Sequence, residues 1–234
     1  MQRFSTDERG KRVQKMFGRI ARRYDLLNRL MTFGFDLSWR KEAIQRLELP
    51  QQALVLDLGS GTGDIAFEIL MQYPDTLVVA SDFTPEMIAV GKDRPGGKLV
   101  NWVIADAQYL PFGNHTFHGV ISGYLLRNVS DLGQTLSEQA RVLKSSGRMV
   151  SLDTTPPQPG PFRWLIELYF RFVIPLLGKW IAGEAEAYQY LPQSTENFLN
   201  AELLANKIAD AGFKDIQFRR RMFGTMAIHW GKRH

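Results

Sequence analysis

Three aspartates stand where the chain leaves successive candidate strands. Asp57 lies two residues before a glycine turn, Asp82 lies 19 residues after the last glycine of that turn, and Asp106 follows a third apolar run. Ligands of doubly wound sheets bind at the carboxyl ends of the strands, so these side chains are predicted to share one site. The second carboxylate can accept hydrogen bonds from ribose hydroxyls and the third from an adenine amino group. Each aspartate alone is also compatible with a helix cap or a loop.

The glycine turn reads LDLGSGTGD and joins a hydrophobic run to a helical pattern. Such a turn presents backbone N–H groups, and its glycines let a ligand press against the main chain. The carboxylate of Asp57 disfavours a pyrophosphate and favours a cationic amino-acid group, so S-adenosylmethionine fits better than NAD. The predicted cofactor-binding residues are Asp57, Gly59, Ser60, Gly61, Thr62, Gly63, Asp82, Phe83, Asp106, Ala107 and Gly123.

The elements that position these residues alternate between strand and helix from residue 53 onward. Short apolar runs predict strands at 54–58, 77–81, 100–105, 119–123, 148–152, 216–221 and 225–230. Helical spacing predicts helices at about 63–72, 85–94, 131–144 and 200–211. This alternation indicates an α/β fold with a mostly parallel sheet and helices on both sides.

Composition narrows the chemistry. The 234 residues are 44% hydrophobic and 23% charged, which is typical of one soluble domain. The chain has no cysteine, so disulfides and thiolate catalysis are excluded. Its four histidines lack zinc-site spacing, and no metal is predicted. The N-terminus has no apolar run, so no signal peptide is expected.

The first 41 residues carry eleven basic and four acidic side chains, a net charge of +7. Apolar residues within them recur with helical spacing at Val13, Met16, Phe17, Ile20 and Tyr24. The basic stripe beside them is interpreted either as a solvated helix face or as a surface against lipid headgroups.

A second apolar segment, Phe162–Gly183, follows a proline-rich break. Charged residues interrupt it, and its longest uncharged stretch, 172–178, is too short to span a bilayer. It is predicted to form a helix packed on the domain, a wall for a hydrophobic substrate that touches the bilayer, or both.

Four segments together resemble the ubiquinone/menaquinone biosynthesis C-methyltransferases. They are VQKMFGRIARRYDLLNRLMTFGFDLSWRK (Val13–Lys41), YLLRNVSD (Tyr124–Asp131), AYQYLPQSTENF (Ala187–Phe198) and AIHWGKR (Ala227–Arg233). The resemblance implies a class I methyltransferase fold, which is a doubly wound, Rossmann-like, seven-stranded, mostly parallel sheet with the last strand antiparallel. It also implies one domain over 1–234, with an N-terminal helical cap at about 1–48 and a hydrophobic helical insertion at about 156–198.

The activity implied by the resemblance is methylation of a ring carbon on a polyprenylated quinol, with demethylmenaquinol converted to menaquinol. The family assigns the deprotonation step to the arginine of the LRN motif, here Arg127. Because an arginine stays protonated, we expect it to stabilise the phenolate or orient a water; a structural ion pair is the alternative. Asn128 is expected to bind the other quinol oxygen. Tyr24, the third predicted catalytic residue, and Asp25 are expected to cover the cofactor or the ring, or to serve as a core tyrosine and helix cap.

Two departures from the family pattern concern the substrate. Gly123-Tyr124-Leu125 replaces a frequent Ser-Phe-Gly, and Gln189 replaces a frequent arginine. Alternatives are a benzoquinol or another hydrophobic acceptor, a basic membrane or RNA adaptor on the same fold, and an NAD oxidoreductase, against which Asp57 argues. The expected partners are a lipophilic quinol and an anionic membrane surface, without nucleic acid and with a possible homodimer. The expected location is the cytoplasmic, inner face of the membrane.

Overall fold

The computed structural model describes residues 8–157, 164, 168–169, 190 and 193–234. Within these ranges the helices are α1 (Glu8–Ile20), α2 (Tyr24–Met31), α3 (Phe35–Gln45), α4 (Asp64–Gln72), α5 (Pro85–Asp93), α6 (Leu132–Val142) and α7 (Ala201–Asp210). The strands are β1 (Leu54–Leu58), β2 (Leu77–Asp82), β3 (Asn101–Ile104), β4 (Phe117–Gly123), β5 (Leu143–Thr154), β6 (Phe213–Arg221) and β7 (Met226–Arg233). Each predicted strand has its counterpart.

The described strands form one seven-stranded sheet in the order β3-β2-β1-β4-β5-β7-β6. The first five strands pair in parallel, and β7 runs antiparallel to both β5 and β6. The predicted fold class is therefore confirmed, including the antiparallel last strand. The chain crosses from one edge of the sheet back to its middle between β3 and β4, so the strand order reverses between β1 and β4. Ligands of doubly wound sheets bind at this reversal.

Alternating residues of the strands build a core on each side of the sheet. Val55 packs with residues of α3 and α4 on one side, while Leu56 packs with residues of α6 and α7 on the other. This alternation follows from the two-residue period of a strand. A third cluster (Met16, Ile20 and Leu27 at its centre) holds α1 and α2 together and includes Tyr169 and Tyr190 at its rim.

The predicted boundary between α6 and β5 is wrong on both sides, because β5 begins at Leu143 and not at 148. The helix predicted to reach residue 144 ends at Val142, and Leu143 already pairs with Phe117 on β4. Leu143 is fully buried there, so sheet pairing outweighs the helical spacing of its sequence. The predicted helix at 162–183 lies outside the described residues, apart from Trp164, Leu168 and Tyr169. Nowhere in the described ranges is a helix long and apolar enough to cross a bilayer.

Candidate active site

The glycine turn lies at the carboxyl end of β1, where the strand order reverses. Gly59, Gly61 and Gly63 have φ values of +68°, +56° and +89°, in the region that glycine adopts without strain. A Cβ on Gly59 would lie 2.8 Å from the Leu125 side chain, and one on Gly63 would lie 2.5 Å from Trp102. The turn therefore needs glycines for its conformation and for its close packing.

Asp82 at the end of β2 is fixed by backbone donors. One carboxylate oxygen accepts from the Gly61 N–H at 2.8 Å and the other from the Thr84 N–H at 2.7 Å. Burial raises the pKa of Asp82, and these donors act against the rise. Its position next to the turn and its remaining lone pairs suit it to accept hydroxyl donors from a ligand.

Asp106 and Ala107 follow β3 along the same edge of the sheet. Asp106 is 6% exposed, and its Oδ1 accepts from the Gln108 backbone N–H at 2.9 Å. Ala107 is also buried. Both residues line the same cavity as Asp82, as the strand-end rule predicts.

This cavity has an empty volume of about 840 Å³, a figure that includes space open to solvent. The glycine turn, the strand ends and the segment after β4 form its floor and sides. Helix α1 closes it: Gln14 donates to the Phe83 carbonyl at 2.5 Å. The residues that line it are Gly10, Val13, Gln14, Phe17, Tyr24, Leu58, Gly59, Gly61, Asp82, Phe83, Thr84, Met87, Ala105, Asp106, Ala107, Gln108, Gly123, Tyr124, Leu125, Asn128, Val129 and Ser130.

Five predicted site residues are not among the residues that line the cavity. Ser60, Gly63 and Thr62 belong to the glycine turn but do not line the cavity, and Arg127 and Asp57 are likewise absent from the lining. Asp57 is fully buried; its Oδ2 accepts from the Ala66 N–H at 3.0 Å, and its Oδ1 has no partner among the described residues. Burial raises the pKa of Asp57 to about 8. Its predicted contact with a cationic group stays a prediction.

Tyr24 is placed over the glycine turn by helix α2. Its ring atom Cε1 would lie 3.8 Å from a Cβ on Gly61, and its ring meets that of Phe17 edge-on at 5.7 Å. Burial raises the pKa of Tyr24, so its hydroxyl keeps its proton and can donate a hydrogen bond. Tyr24 faces the cavity and also packs against the cap core, so the two expectations for it are compatible.

Arg127 is buried in an ion pair with Asp153. Its Nη1 lies 2.6 Å from the Asp153 carboxylate, and the two side chains are 5% and 1% exposed. Burial would lower the pKa of Arg127, but Asp153 together with Tyr24 and Tyr124 outweighs burial and raises it. The Arg127 Nε has no partner among the described residues, and the guanidinium carbon lies 5.3 Å from the centre of the Tyr124 ring. The ion-pair alternative is thus present, and it fixes a permanent cation behind Tyr124.

Asn128 faces the cavity with its amide held at both ends. Its Nδ2 donates to the Tyr124 carbonyl at 2.7 Å, and its Oδ1 accepts from the Tyr190 hydroxyl at 3.0 Å. The second contact joins the segments LRNVSD and YQYLP, which are 62 residues apart. Tyr124 itself has a φ of +59°, unusual for a bulky residue and concentrated at functional sites.

Comparison with known proteins identifies the family. The family model for the ubiE/COQ5 methyltransferase family matches residues 5–233. The chain belongs to this family. A ubiquinone/menaquinone biosynthesis C-methyltransferase of Desulfotalea psychrophila is 46% identical over 95% of this chain and 91% of its own length. A demethylmenaquinone methyltransferase of Thermus thermophilus is 41% identical over 93% of this chain and all of its own length.

A solved structure supports the fold. The phosphoethanolamine N-methyltransferase 2 of Haemonchus contortus, in complex with S-adenosyl-L-methionine, aligns with a TM-score of 0.63 at 14% identity, over 84% of this chain and 52% of that one. The resemblance deduced from the sequence motifs is confirmed at the level of the family, and the chain is a methyltransferase of class I fold.

An ion-pair cluster that the sequence did not reveal fastens the cap of this methyltransferase to its glycine turn. Asp64, the first residue of α4, pairs with arginines from three different elements, Arg29, Arg40 and Arg94. Arg94 also reaches Asp25 at 3.2 Å. Burial would raise the pKa of Asp64, but the arginines outweigh it and lower the pKa.

Asp25 completes the connection from the cap. It accepts from the Thr62 hydroxyl at 2.8 Å, and burial followed by the charge of Asp64 raises its pKa. The expected cap role of Asp25 is not observed, because no side chain caps α2 in the structure. Asp25 and Thr62 therefore position Tyr24 over the turn without themselves lining the cavity.

Helix α1 contributes side chains to the cavity lining, which its sequence pattern did not indicate. Val13 and Phe17 line the cavity, while Met16 and Ile20 are 4% and 3% exposed in the cap core. The apolar stripe of α1 is thus used inside the protein and is not available to lipid. The apolar stripe was the signal for this role, but periodicity alone does not tell a cavity wall from a membrane face.

Proposed function

We propose that this methyltransferase transfers the methyl group of S-adenosylmethionine to a ring carbon of a polyprenylated quinol, converting demethylmenaquinol to menaquinol. The observation that carries the proposal is the convergence of two sets of residues on one cavity. Asp82 and Asp106 face it from the strand ends, while Tyr24 faces it from the cap and Asn128 from the segment after β4. The similarity to the demethylmenaquinone methyltransferase of Thermus thermophilus supports a naphthoquinol as the acceptor.

The residues present fit S-adenosylmethionine. Gly61 lines the cavity, and a Cβ there would approach Tyr24 no closer than 3.8 Å, so a ligand can approach the main chain at this glycine. Asp82 would accept the ribose hydroxyls, Asp106 the adenine amino group, and the Ala107 N–H would reach a ring nitrogen. When bound, the sulfonium supplies an activated methyl group.

The residues expected to contact the quinol, which form the acceptor side of the cavity, must favour loss of its phenolic proton. Arg127 keeps its charge because Asp153 raises its pKa, so it cannot be the base. Its guanidinium instead supplies positive potential where the phenolate oxygen forms, which stabilises the ionised quinol. Asn128, oriented by Tyr190, is placed to bind the second oxygen, and Tyr24 to hold the ring in line with the methyl group.

The predicted location at the inner face of a membrane belongs to the same proposal. A quinol with a long isoprenoid tail resides in a bilayer, since each buried CH₂ contributes about 0.8 kcal/mol to partitioning. The protein must therefore meet its substrate at a lipid surface.

A direct assay tests the proposal. The protein is incubated with S-adenosylmethionine and a short-tailed demethylmenaquinol under reducing conditions, and the quinol is examined by mass spectrometry for the gain of one CH₂ unit. A short-tailed benzoquinol is run in parallel, because the Desulfotalea psychrophila relative is named for both pathways. Intact cofactor binding with no methylation of either quinol would contradict the proposal.

Asn128→Ala sharpens the assay. We expect it to abolish turnover and to leave the dissociation constant of S-adenosylmethionine within about threefold, since its partners lie on the acceptor side. If cofactor affinity falls as strongly as turnover, Asn128 belongs to the cofactor site instead.

A further inference from the structure

Five large apolar side chains are exposed at the junction of α2 and α3. Phe33 is 70% exposed, Phe35 59%, Leu26 54%, Leu37 44% and Leu30 40%. We name them together the α2–α3 apolar surface. Isolated exposed hydrophobic residues are ordinary, but five of them within twelve residues point to an interaction site.

The insertion adds to this surface. The Tyr169 ring lies 5.8 Å from that of Phe33, and the Tyr169 hydroxyl donates to the Met31 carbonyl at 2.8 Å. Trp164 and Leu168, which precede Tyr169, are 62% and 49% exposed. Tyr169 of the apolar segment predicted at 162–183 therefore contacts the α2–α3 apolar surface.

Hydrogen bonds stabilise the turn between α2 and α3, next to the two phenylalanines. Phe33 has a φ of +53°, a conformation that is strained for a bulky side chain. Gly34 N–H donates to the Arg29 carbonyl at 2.7 Å, and the Thr32 hydroxyl bonds the Asn28 carbonyl at 2.7 Å. The protein thus holds an apolar side chain in water at a strained position, which indicates a binding role.

The charges around the surface select its occupant. Residues 10–41 contain only two acidic residues, Asp25 and Asp36, and both are in ion pairs with arginines. Arg22 and Lys41, which flank the surface in the sequence, are exposed. A basic rim around an apolar centre complements anionic lipid headgroups over acyl chains. The same rim would oppose its own copy in a symmetric dimer.

The surface also lies close to the acceptor site. Leu26 and Leu30 are on the outer face of α2, whereas Tyr24 on the same eight-residue helix lines the cavity. The helix is about 12 Å long. A quinol headgroup that leaves a bilayer at this surface therefore needs to pass only one short helix.

We propose that the α2–α3 apolar surface inserts into the headgroup–acyl boundary of an anionic bilayer, with Phe33 and Phe35 as its tip and the basic residues around it in contact with phosphate groups. The identity of the extracted lipid rests on the proposed function, but the docking itself does not.

Vesicle co-sedimentation tests the docking. The full chain is mixed with vesicles of phosphatidylglycerol and phosphatidylcholine, and with phosphatidylcholine alone. We expect binding to the anionic vesicles that weakens with salt, and a partition coefficient at least about tenfold lower for F33N/F35S, since each buried phenylalanine contributes strongly to transfer. Asparagine tolerates the positive φ at position 33.

A matched control removes two equally exposed apolar side chains elsewhere. Met71 and Leu99 are 73% and 70% exposed and lie outside the α2–α3 apolar surface. M71S/L99S should bind vesicles as the unmodified chain does. Equal binding by F33N/F35S, or an equal loss in M71S/L99S, overturns the proposal.

Two further measurements distinguish membrane docking from the proposed function and from a dimer interface. F33N/F35S should methylate a short-tailed quinol free of vesicles at the unmodified rate, yet lose activity on a long-tailed quinol in vesicles. Vesicle binding without methylation of any quinol would sink the proposed function and leave the docking intact. Sedimentation equilibrium that shows a dimer dissociated by F33N/F35S, without vesicle binding, would assign the surface to a second copy.

Discussion

The donor and acceptor sides of the cavity are built from different contacts. On the donor side, Asp82 and Asp106 each accept from a backbone group two residues further along the chain, and Asp82 also accepts from the Gly61 N–H of the glycine turn. On the acceptor side, Asn128 is held by a side chain 62 residues away, and Arg127 by one 26 residues away. Local contacts follow from a short motif, whereas distant side-chain pairs follow only from the complete fold. Substitutions on the donor side should therefore lower cofactor affinity. Substitutions on the acceptor side should lower stability or turnover.

The largest effect is expected from Asp153→Asn on the acceptor side. In the unmodified chain the Arg127 Nη1 lies 2.6 Å from the Asp153 carboxylate. The substitution leaves the buried guanidinium without this counter-charge. Breaking such a pair from one side costs about 3–5 kcal/mol. The free energy of unfolding, measured by urea denaturation, should fall by that amount, and turnover should fall with it.

The double variant Arg127→Met/Asp153→Leu separates the two losses. Replacing both charges by apolar groups of similar size is often neutral for stability. We expect unfolding close to that of the unmodified chain, cofactor binding retained and turnover absent. Turnover that survives in the double variant would show that the pair is purely structural.

The sequence predicted the donor side well and the acceptor side only in part. Strand β1 has the predicted bounds, and Asp82, Asp106 and Gly123 line one cavity, because strand ends and glycine turns obey local rules. Asp153 was missed although it too stands near a strand end. Its importance depends on a partner 26 residues away, which no local pattern reveals.

The cap shows the same division. Helical spacing identified the apolar stripe of α1, but only the fold shows that Val13 and Phe17 turn into the cavity. The ion pairs that join Asp64 to three arginines draw on α2, α3 and the segment after α5. Side chains gathered from so many elements cannot be paired from a single sequence.

Asp82→Asn tests the donor side. The amide replaces a carboxylate oxygen that now accepts a backbone N–H, and it removes an acceptor for ribose hydroxyls. A hydrogen bond to a charged group contributes about 1.5–3 kcal/mol, so the dissociation constant of S-adenosylmethionine should rise roughly 10- to 150-fold by calorimetry. Asp93→Asn, at the exposed end of α5, should leave it unchanged. A normal affinity in Asp82→Asn would move the ribose site elsewhere.

The pKa of Asp57 gives a pH-dependent prediction for the region beneath the turn. Burial raises the pKa to about 8, far above the value of about 4 expected in the unfolded chain. Between these values the folded state keeps a proton that the unfolded state has lost. Stability should therefore fall as pH rises through this window, by at most about 1.4 kcal/mol per pH unit. In Asp57→Asn the fall between pH 5 and 8 should be smaller, with the raised pKa values of Asp25 and Asp82 accounting for what remains.

The proton released on cofactor binding gives a second test of the role of Asp57. A cationic ligand above the turn would favour the ionised carboxylate, so binding at pH 7 should release a proton in the unmodified chain but not in Asp57→Asn. Calorimetry in buffers of different ionisation enthalpy measures that proton. An identical proton count for both proteins would remove Asp57 from the cofactor site.

The smallest effect is expected from Tyr190→Phe, which removes the hydroxyl that fixes Asn128. A neutral hydrogen bond contributes about 0.5–1.5 kcal/mol, so kcat with a short-tailed quinol should fall by up to about tenfold, with the S-adenosylmethionine dissociation constant unchanged. Tyr169→Phe is the matched control, because its hydroxyl binds a backbone carbonyl, that of Met31, and has no contact with Asn128 in the described residues. A loss confined to Tyr190→Phe would show that a single distant hydroxyl positions the acceptor side, and an equal loss in Tyr169→Phe would contradict it.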